Sequence, residues 1–279
     1  MDAFVTFLIR AFGRIGVIDP HRVFDTLSAS LNVDHLRYAY AQRGILNYRS
    51  LEESGELHLV SSVLPRILPD SPTCFDVGAN KGQYSELLLT HLPNARLTLF
   101  EPNPLLSDGL ARRFGETARI VQAAVGSHVG DTALHTHTDI ASSSKGTLHQ
   151  QVLTSIYHEQ QIEKTTVNIT TLDDYCDQNC INRINFLKLD IEGHEKFAID
   201  GSSRLIRESR IDSIQFEFNE MNVVSRVFLK DFFDLLPRWN FFRMKPQGIS
   251  PLRYHRREEL FQYQNIFAIR PGIDAASIR

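Results

Sequence analysis

Hydrophobic positions recur along the first seventy residues at helical spacing. Phe4, Leu8, Phe12 and Ile15 form one series, and Val23, Leu27 and Leu31 a second. Asp19-Pro20 reads as a cap followed by a proline in the first turn. Asp34 reads as a further cap, Gly44 as a stop, and Ser54 as the cap of a helix carrying Leu57, Val60 and Leu64 that Pro65 and Pro69 close. Residues 1–70 are therefore expected to form a helical N-terminal segment, joined at Pro69, Ser71 and Pro72 to a main domain over 71–279. Arg10 and Arg14 interrupt the apolar stretch at the start, which is too short and too charged to span a bilayer. No basic region precedes it, so it does not read as a secretory signal. The simplest expectation is a helix packed on its own domain.

From Thr73 the period changes. Short apolar runs alternate with helical patterns, as a parallel sheet with crossover helices requires. Strands are expected from Thr73 to Asp76, at Arg96–Phe100, Ala118–Ala124, Ile184–Leu189, around Ile214–Phe218, at Phe241–Met244 and at Ile266–Ile269. A short strand or hairpin is expected at Asp131–Thr138, and a flexible loop at Ala141–Gly146. Asn103-Pro104 should cap the helix carrying Leu106, Leu110 and Phe114. Val224, Phe228, Phe232 and Leu235 should mark another. No repeat or low-complexity segment is present.

Composition narrows the class. The 279 residues, 42% hydrophobic and 23% charged, suit one large α/β domain with an appended segment. A net charge of −3 gives no electrostatic case for nucleic acid or an acidic membrane surface. The cluster of Arg253, Arg256 and Arg257 is offset by Glu258 and Glu259 and reads as solvated surface. Of the three cysteines, Cys74 lies in an apolar strand. Cys176 and Cys180 lack a second ligand pair, so a zinc site is not expected and the usage suits a reducing cytosol.

The candidate chemistry lies where strands end. Asp76-Val77-Gly78-Ala79-Asn80-Lys81-Gly82 is a strand running into a glycine turn and then a helix, the opening of a nucleotide-binding α/β domain. Asn80 and Gln83 replace the second and third glycines of the dinucleotide fingerprint. The second glycine normally admits a pyrophosphate, so its loss argues against NAD or FAD and for an adenosine ligand without phosphates. Glu101 closes the next strand about twenty residues on, the spacing of a carboxylate that accepts ribose hydroxyls. Asp190-Ile191-Glu192-Gly193-His194-Glu195 follows another strand and packs four ionisable side chains around a glycine. His194 is suited to take a proton near neutral pH, with Asp190 or Glu192 orienting it. Alternatively, Glu192 and Glu195 only complement a helix start.

Four stretches in this order resemble FkbM-type S-adenosylmethionine-dependent methyltransferases: Phe75–Gly82, Phe100-Glu101-Pro102-Asn103, Ile169–Asp174, and Leu187–Glu195. The resemblance spans roughly Ser54 to Arg270. It implies a class I, Rossmann-like methyltransferase fold with a seven-stranded sheet whose last strand is antiparallel. It also implies S-adenosyl-L-methionine as cofactor. By this resemblance Asp76, Gly78, Asn80 and Gly82 line the cofactor's amino-acid portion, and Glu101 takes the ribose, with Asn103 beside it. Asp190, Glu192 and His194 are the catalytic candidates. The acceptor would be a hydroxyl on a sugar, glycan, lipid or natural product. No tightly bound metal is expected, although Asp190, Glu217 and Asn219 could compete for a divalent ion. An NAD-dependent oxidoreductase and a non-catalytic nucleotide-binding module are the rival readings. Asn80 disfavours the first, and the intact acidic stretch after Leu189 the second.

Overall fold

A computed structural model of the chain describes Asp19, Arg22 and residues 34–138 and 146–274. The expected helices before Asp34 and most of the loop at 141–146 lie outside the described residues. The chain divides into two compact units, Met1–Arg43 and Gly44–Arg279. In the first, Asp34 caps the helix His35–Gln42, its carboxylate accepting from the Arg37 N–H at 3.0 Å. Among the described residues no helix is long and apolar enough to cross a membrane.

The second unit begins well before the expected junction at residue 71. Helical turns at Glu56–His58, Leu59–Val63 and Leu64–Ile67 bury Leu59, Val60, Val63 and Leu64 in the same cluster as Cys74, Leu97, Leu99 and Phe186 of the sheet. Residues 44–70 thus belong to the sheet-bearing unit by packing.

The strands are β1 (Thr73–Val77), β2 (Arg96–Phe100), β3 (Ala118–Val121), β4 (Ala124–Val125), β5 (Gly130–His137), β6 (Ile162–Thr170), β7 (Ile184–Leu189), β8 (Ile211–Phe218), β9 (Asn240–Lys245), β10 (Gly248–Leu252) and β11 (Gln264–Ile269). The main sheet has eight strands in the order β10-β9-β11-β8-β7-β1-β2-β3. β1, β2, β3, β7 and β8 pair in parallel, and β11 runs antiparallel to both β8 and β9. This is the class I methyltransferase sheet with its antiparallel last strand, enlarged from the expected seven strands by the edge strand β10. Pro251 sits in β10, and an edge is where a sheet accommodates a residue lacking an N–H.

β1 and β7 are buried along their whole length, as central strands covered on both faces must be. Phe75, Val77, Leu187, Leu189 and Phe216 join one cluster; Cys74, Phe186, Leu97 and Leu99 join the other. On that second face the apolar pattern breaks near the strand ends. Asp76 lies opposite Lys188 in the β1–β7 register, and Lys188 opposite Gln215 in β7–β8. A polar row therefore crosses three central strands.

Two expected elements differ. The single strand over 118–124 divides: β3 stays in the main sheet, while β4 pairs with β6 in a three-stranded sheet, β4-β6-β5. The helix expected from Val224 to Leu235 breaks into Met221–Ser225 and Leu229–Leu235. Arg226 is left-handed (φ 55°) at the break, and the Asp231 carboxylate accepts the Phe228 N–H at 2.8 Å.

Candidate active site

The site is built at the carboxyl ends of β1, β2 and β7. After β1 the chain turns through Gly78, Asn80 and Gly82 with φ of 83°, 51° and 79°. Gly78 and Ala79 donate to the Phe100 carbonyl at 2.9 and 3.1 Å, which pins the loop to the end of β2. A Cβ on Gly78 would lie 1.8 Å from the Asp190 carbonyl oxygen, and one on Gly82 would lie 2.4 Å from the Phe114 ring. Both glycines are therefore required by neighbouring protein atoms as well as by their backbone angles.

Glu101 is the anchor of a cavity. Its two oxygens accept one backbone N–H each, from Asn80 and Asn103, both at 2.9 Å. Asn103 in turn caps the helix Pro104–Phe114, its side chain accepting from the Leu105 N–H at 3.0 Å. Burial pushes the Glu101 carboxyl up to about 7, against the pull of the Asn103 and Asn80 N–H groups. Leu106, Val125, Leu134 and Ile191 supply apolar wall, and Gly78, Asn80, Asn103, Asp190, Glu192 and His194 also line the cavity. One buried carboxylate with spare lone pairs beside an apolar slot fits a nucleoside with a vicinal diol.

A second, larger cavity adjoins it and is lined by Glu56, Tyr84, Tyr157, Lys188, Glu217, Glu220 and Tyr263, among others. Gly78, Asn80, Asp190 and Glu192 line both cavities. Those four residues form the seam where groups held on either side would meet.

Beneath the seam lies an ion-pair cluster. Lys188 Nζ is 3.1 Å from Asp190 Oδ2 and 3.5 Å from Asp76 Oδ1, and 4.7 Å from the centre of the Tyr84 ring. Burial acts to lower the Lys188 pKa, but Asp190, Asp76 and Glu56 raise it on balance, so the amine stays charged. Ser85 donates to Asp76 at 2.6 Å. Tyr84 bonds Gln215, whose amide donates to Glu56 at 3.1 Å. Replacing Lys188 by Met is expected to destabilise the fold by about 3 kcal/mol, because it strands two carboxylates in or beside the interior. Denaturant unfolding checks this, and adding Asp76→Asn should restore part of the loss.

The expected site residues separate into groups. Asp76 is 0% exposed and lines neither cavity; its side-chain partners are Lys188 and Ser85. Gly82 also lines neither cavity; it packs on Phe114. Gly78, Asn80, Glu101 and Asn103 line the first cavity. Asp190 and Glu192 lie at the seam. Glu192 is held left-handed (φ 54°), and its carboxylate accepts from the Tyr157 hydroxyl at 3.0 Å. Glu195 turns inward and accepts the N–H groups of Ile191 and Gly193 at 3.0 and 3.3 Å, bracing the turn at the start of the helix Glu195–Asp200.

His194 is the third catalytic candidate. It lines the first cavity and not the second. Its Nδ1 is 3.1 Å from His149 Nε2, and its ring stacks on Phe197 with centroids 4.5 Å apart. Burial, reinforced by His149 and His128, pushes it down to about 3. The ring is thus neutral near pH 7 and shares the wall of the first cavity with Asp190 and Glu192. Of the competing metal set, Asn219 spends its amide oxygen on the Met221 N–H at 2.9 Å and its amide nitrogen on Glu217 at 3.1 Å, and Asp190 is paired with Lys188. Among the described residues no three His, Cys, Asp or Glu side chains are disposed to hold a metal ion.

Residues 76–241 match the model of the methyltransferase FkbM domain, which takes in the loop, Glu101 and the seam. The chain belongs to the FkbM methyltransferase family. A 2-O-methyltransferase, NoeI, from Sinorhizobium fredii (strain NBRC 101917 / NGR234) is 22% identical over 190 residues, covering 65% of this chain and 77% of that protein. Among solved structures, a methyltransferase FkbM from Methylobacillus flagellatus KT is 15% identical with a TM-score of 0.43, over 90% of this chain and 71% of that one. A TehB-like methyltransferase from Corynebacterium glutamicum is 13% identical with a TM-score of 0.42, over 90% and 100%. Membership of the FkbM family makes the coarse activity methyl transfer dependent on S-adenosylmethionine.

Lys188, Tyr157, Glu56 and Tyr263 were not singled out as site residues by sequence reasoning. A signal existed for Lys188, since a lysine in the middle of Asn185-Phe186-Leu187-Lys188-Leu189 has to be paired when that strand is central. No comparable signal marks Tyr157 or Tyr263, which reach the cavity through tertiary folding.

Proposed function

We propose that this FkbM-family chain is an O-methyltransferase acting on a hydroxyl of a sugar, glycan, lipid or natural product. The observation that carries the reading is the seam: a cavity anchored on Glu101, with an apolar wall suited to a nucleoside, and a larger polar cavity share Gly78, Asn80, Asp190 and Glu192. When bound, S-adenosylmethionine would supply a methyl group on a sulfonium, the new bond to the acceptor oxygen forming as the carbon–sulfur bond breaks and the sulfur leaves as a neutral thioether. Glu101 accepts the ribose hydroxyls, held in place by the Asn80 and Asn103 N–H groups. Leu106, Val125 and Leu134 give the base an apolar slot. Glu192 takes the acceptor's proton as its oxygen forms the new bond, and Tyr157 fixes that carboxylate. Asp190, tethered by Lys188, aligns the reacting groups. The curated relative named as a 2-O-methyltransferase supports transfer to oxygen.

The test is binding followed by turnover. S-adenosylmethionine and S-adenosylhomocysteine should raise the melting temperature and give saturable heats, and NADH should give neither. A response to NADH with none to S-adenosylhomocysteine would overturn the reading. Labelled methyl transfer to a panel of hydroxyl acceptors, read by mass spectrometry, then tests oxygen as the target; methyl found only on nitrogen or carbon would refute it.

A further inference from the structure

The larger cavity has a charge imbalance that bears on what it accepts. Glu56, Asp190, Glu192, Glu217 and Glu220 line it, against Lys81 and Lys188. Lys188 is already spent on Asp76 and Asp190 beneath the wall. The buried carboxylates are held by neutral donors: Glu217 by the Asn219 amide at 3.1 Å, and Glu56 by the Ser54 hydroxyl at 2.7 Å and the Gln215 amide. Neutral donors orient these carboxyl groups and leave each able to ionise against an incoming cation. Glu56, Glu217 and Glu220 line this cavity and not the one anchored on Glu101, so the ribose and base do not account for them.

Aromatic side chains accompany the acids. Tyr48 is exposed at the same cavity and stands edge-on to Tyr263, their ring centres 5.8 Å apart. Carboxylates flanked by tyrosine rings are the surroundings an alkylammonium prefers, through ion pairing and cation–π attraction together. A phosphate, sulfate or uronate would meet the same wall as like charge.

We propose that the acceptor is a polyhydroxy compound bearing a protonated amine, such as an amino sugar or aminocyclitol, and that Glu217 and Glu220 receive that amine. This rests on the O-methyltransferase reading of the same site. Crowding is consistent with it: burial and the neighbouring Asp190, Glu192 and Glu56 hold the Glu217 carboxyl well above the usual range, a cost that an incoming cation relieves.

Saturation-transfer NMR on the protein loaded with S-adenosylhomocysteine tests this with three probes of one ring: the methyl glycosides of glucosamine, glucose and glucuronic acid. At neutral pH and low salt the glucosaminide should bind at least about tenfold tighter than the glucuronide, with the glucoside between. High salt should narrow the gap, and Glu217→Gln with Glu220→Gln should abolish it while affinity for S-adenosylhomocysteine holds. Equal or better binding of the glucoside or glucuronide, or no binding of the glucosaminide, overturns the amine proposal. Those outcomes leave methyl transfer standing, provided S-adenosylhomocysteine binds; if it does not, the O-methyltransferase reading itself fails.

Discussion

Glu101→Gln is expected to weaken S-adenosylhomocysteine binding by about a hundredfold or more, since two charge-assisted bonds to a ribose diol are worth about 1.5–3 kcal/mol each. The amide also meets the Asn80 and Asn103 N–H groups with a donor on one side, where the carboxylate offers acceptors on both. Those bonds are the same before and during methyl transfer, so the loss should fall on the cofactor's KM more than on kcat. pH gives a second readout. Burial holds the Glu101 carboxyl up to about 7, so the free protein carries it largely protonated in mild acid. A diol needs the carboxylate as acceptor, so affinity should rise as pH climbs through about 7, and Glu101→Gln should flatten that rise. The ligand-free fold should show the opposite slope. Glu101 and Glu195 both sit near 7 when folded against 4.5 as a reference, so their stabilising share is full below about 4.5 and lost as pH rises through 7. Calorimetric titrations and melting curves across that range check both slopes. A pH-independent affinity, or a Glu101→Gln variant that binds normally, would remove Glu101 from the ribose.

The parts legible in the sequence were those fixed by local chemistry. β2 runs over the very residues its apolar pattern marks, and Asp34 and Asn103 cap as their types predict. The glycine turn and Glu101 come together because both close neighbouring parallel strands. What escaped was set by long-range contact. β6 reads weakly because Glu163, Lys164, Thr165 and Thr166 are exposed and only Val167 and Ile169 are buried. Residues 118–124 look like one strand, but the chain passes between sheets after Val121. The boundary near 70 followed the two prolines, whereas the packing of Leu59, Val60 and Leu64 against the sheet is invisible to composition. Asp76 and His194 carried titratable side chains in suggestive motifs. Only tertiary contact reveals that one is sealed beneath the loop and the other stacked on Phe197.

The division of labour between Glu192 and His194 gives the sharpest chemical test. Glu192→Gln is expected to lower kcat by about a hundredfold or more, the usual range for losing a positioned general base. It removes the proton acceptor at the seam but keeps side-chain volume and a partner for Tyr157, so affinity for S-adenosylhomocysteine should change far less. Tyr157→Phe should show a smaller loss of the same kind, because it frees the carboxylate to rotate without removing it. His194→Asn should behave differently. A ring pushed down to about 3 is a poor proton acceptor at neutral pH, and it lines the nucleoside cavity alone. Its replacement should loosen packing against His149 and Phe197, so stability and cofactor affinity fall while kcat at saturation is largely kept. Steady-state kinetics at saturating cofactor, paired with calorimetry, separates the two. A His194→Asn enzyme that binds S-adenosylhomocysteine normally yet loses kcat, beside a Glu192→Gln enzyme that keeps it, would move the proton to the histidine and require the turn after β7 to reorganise when both ligands are bound.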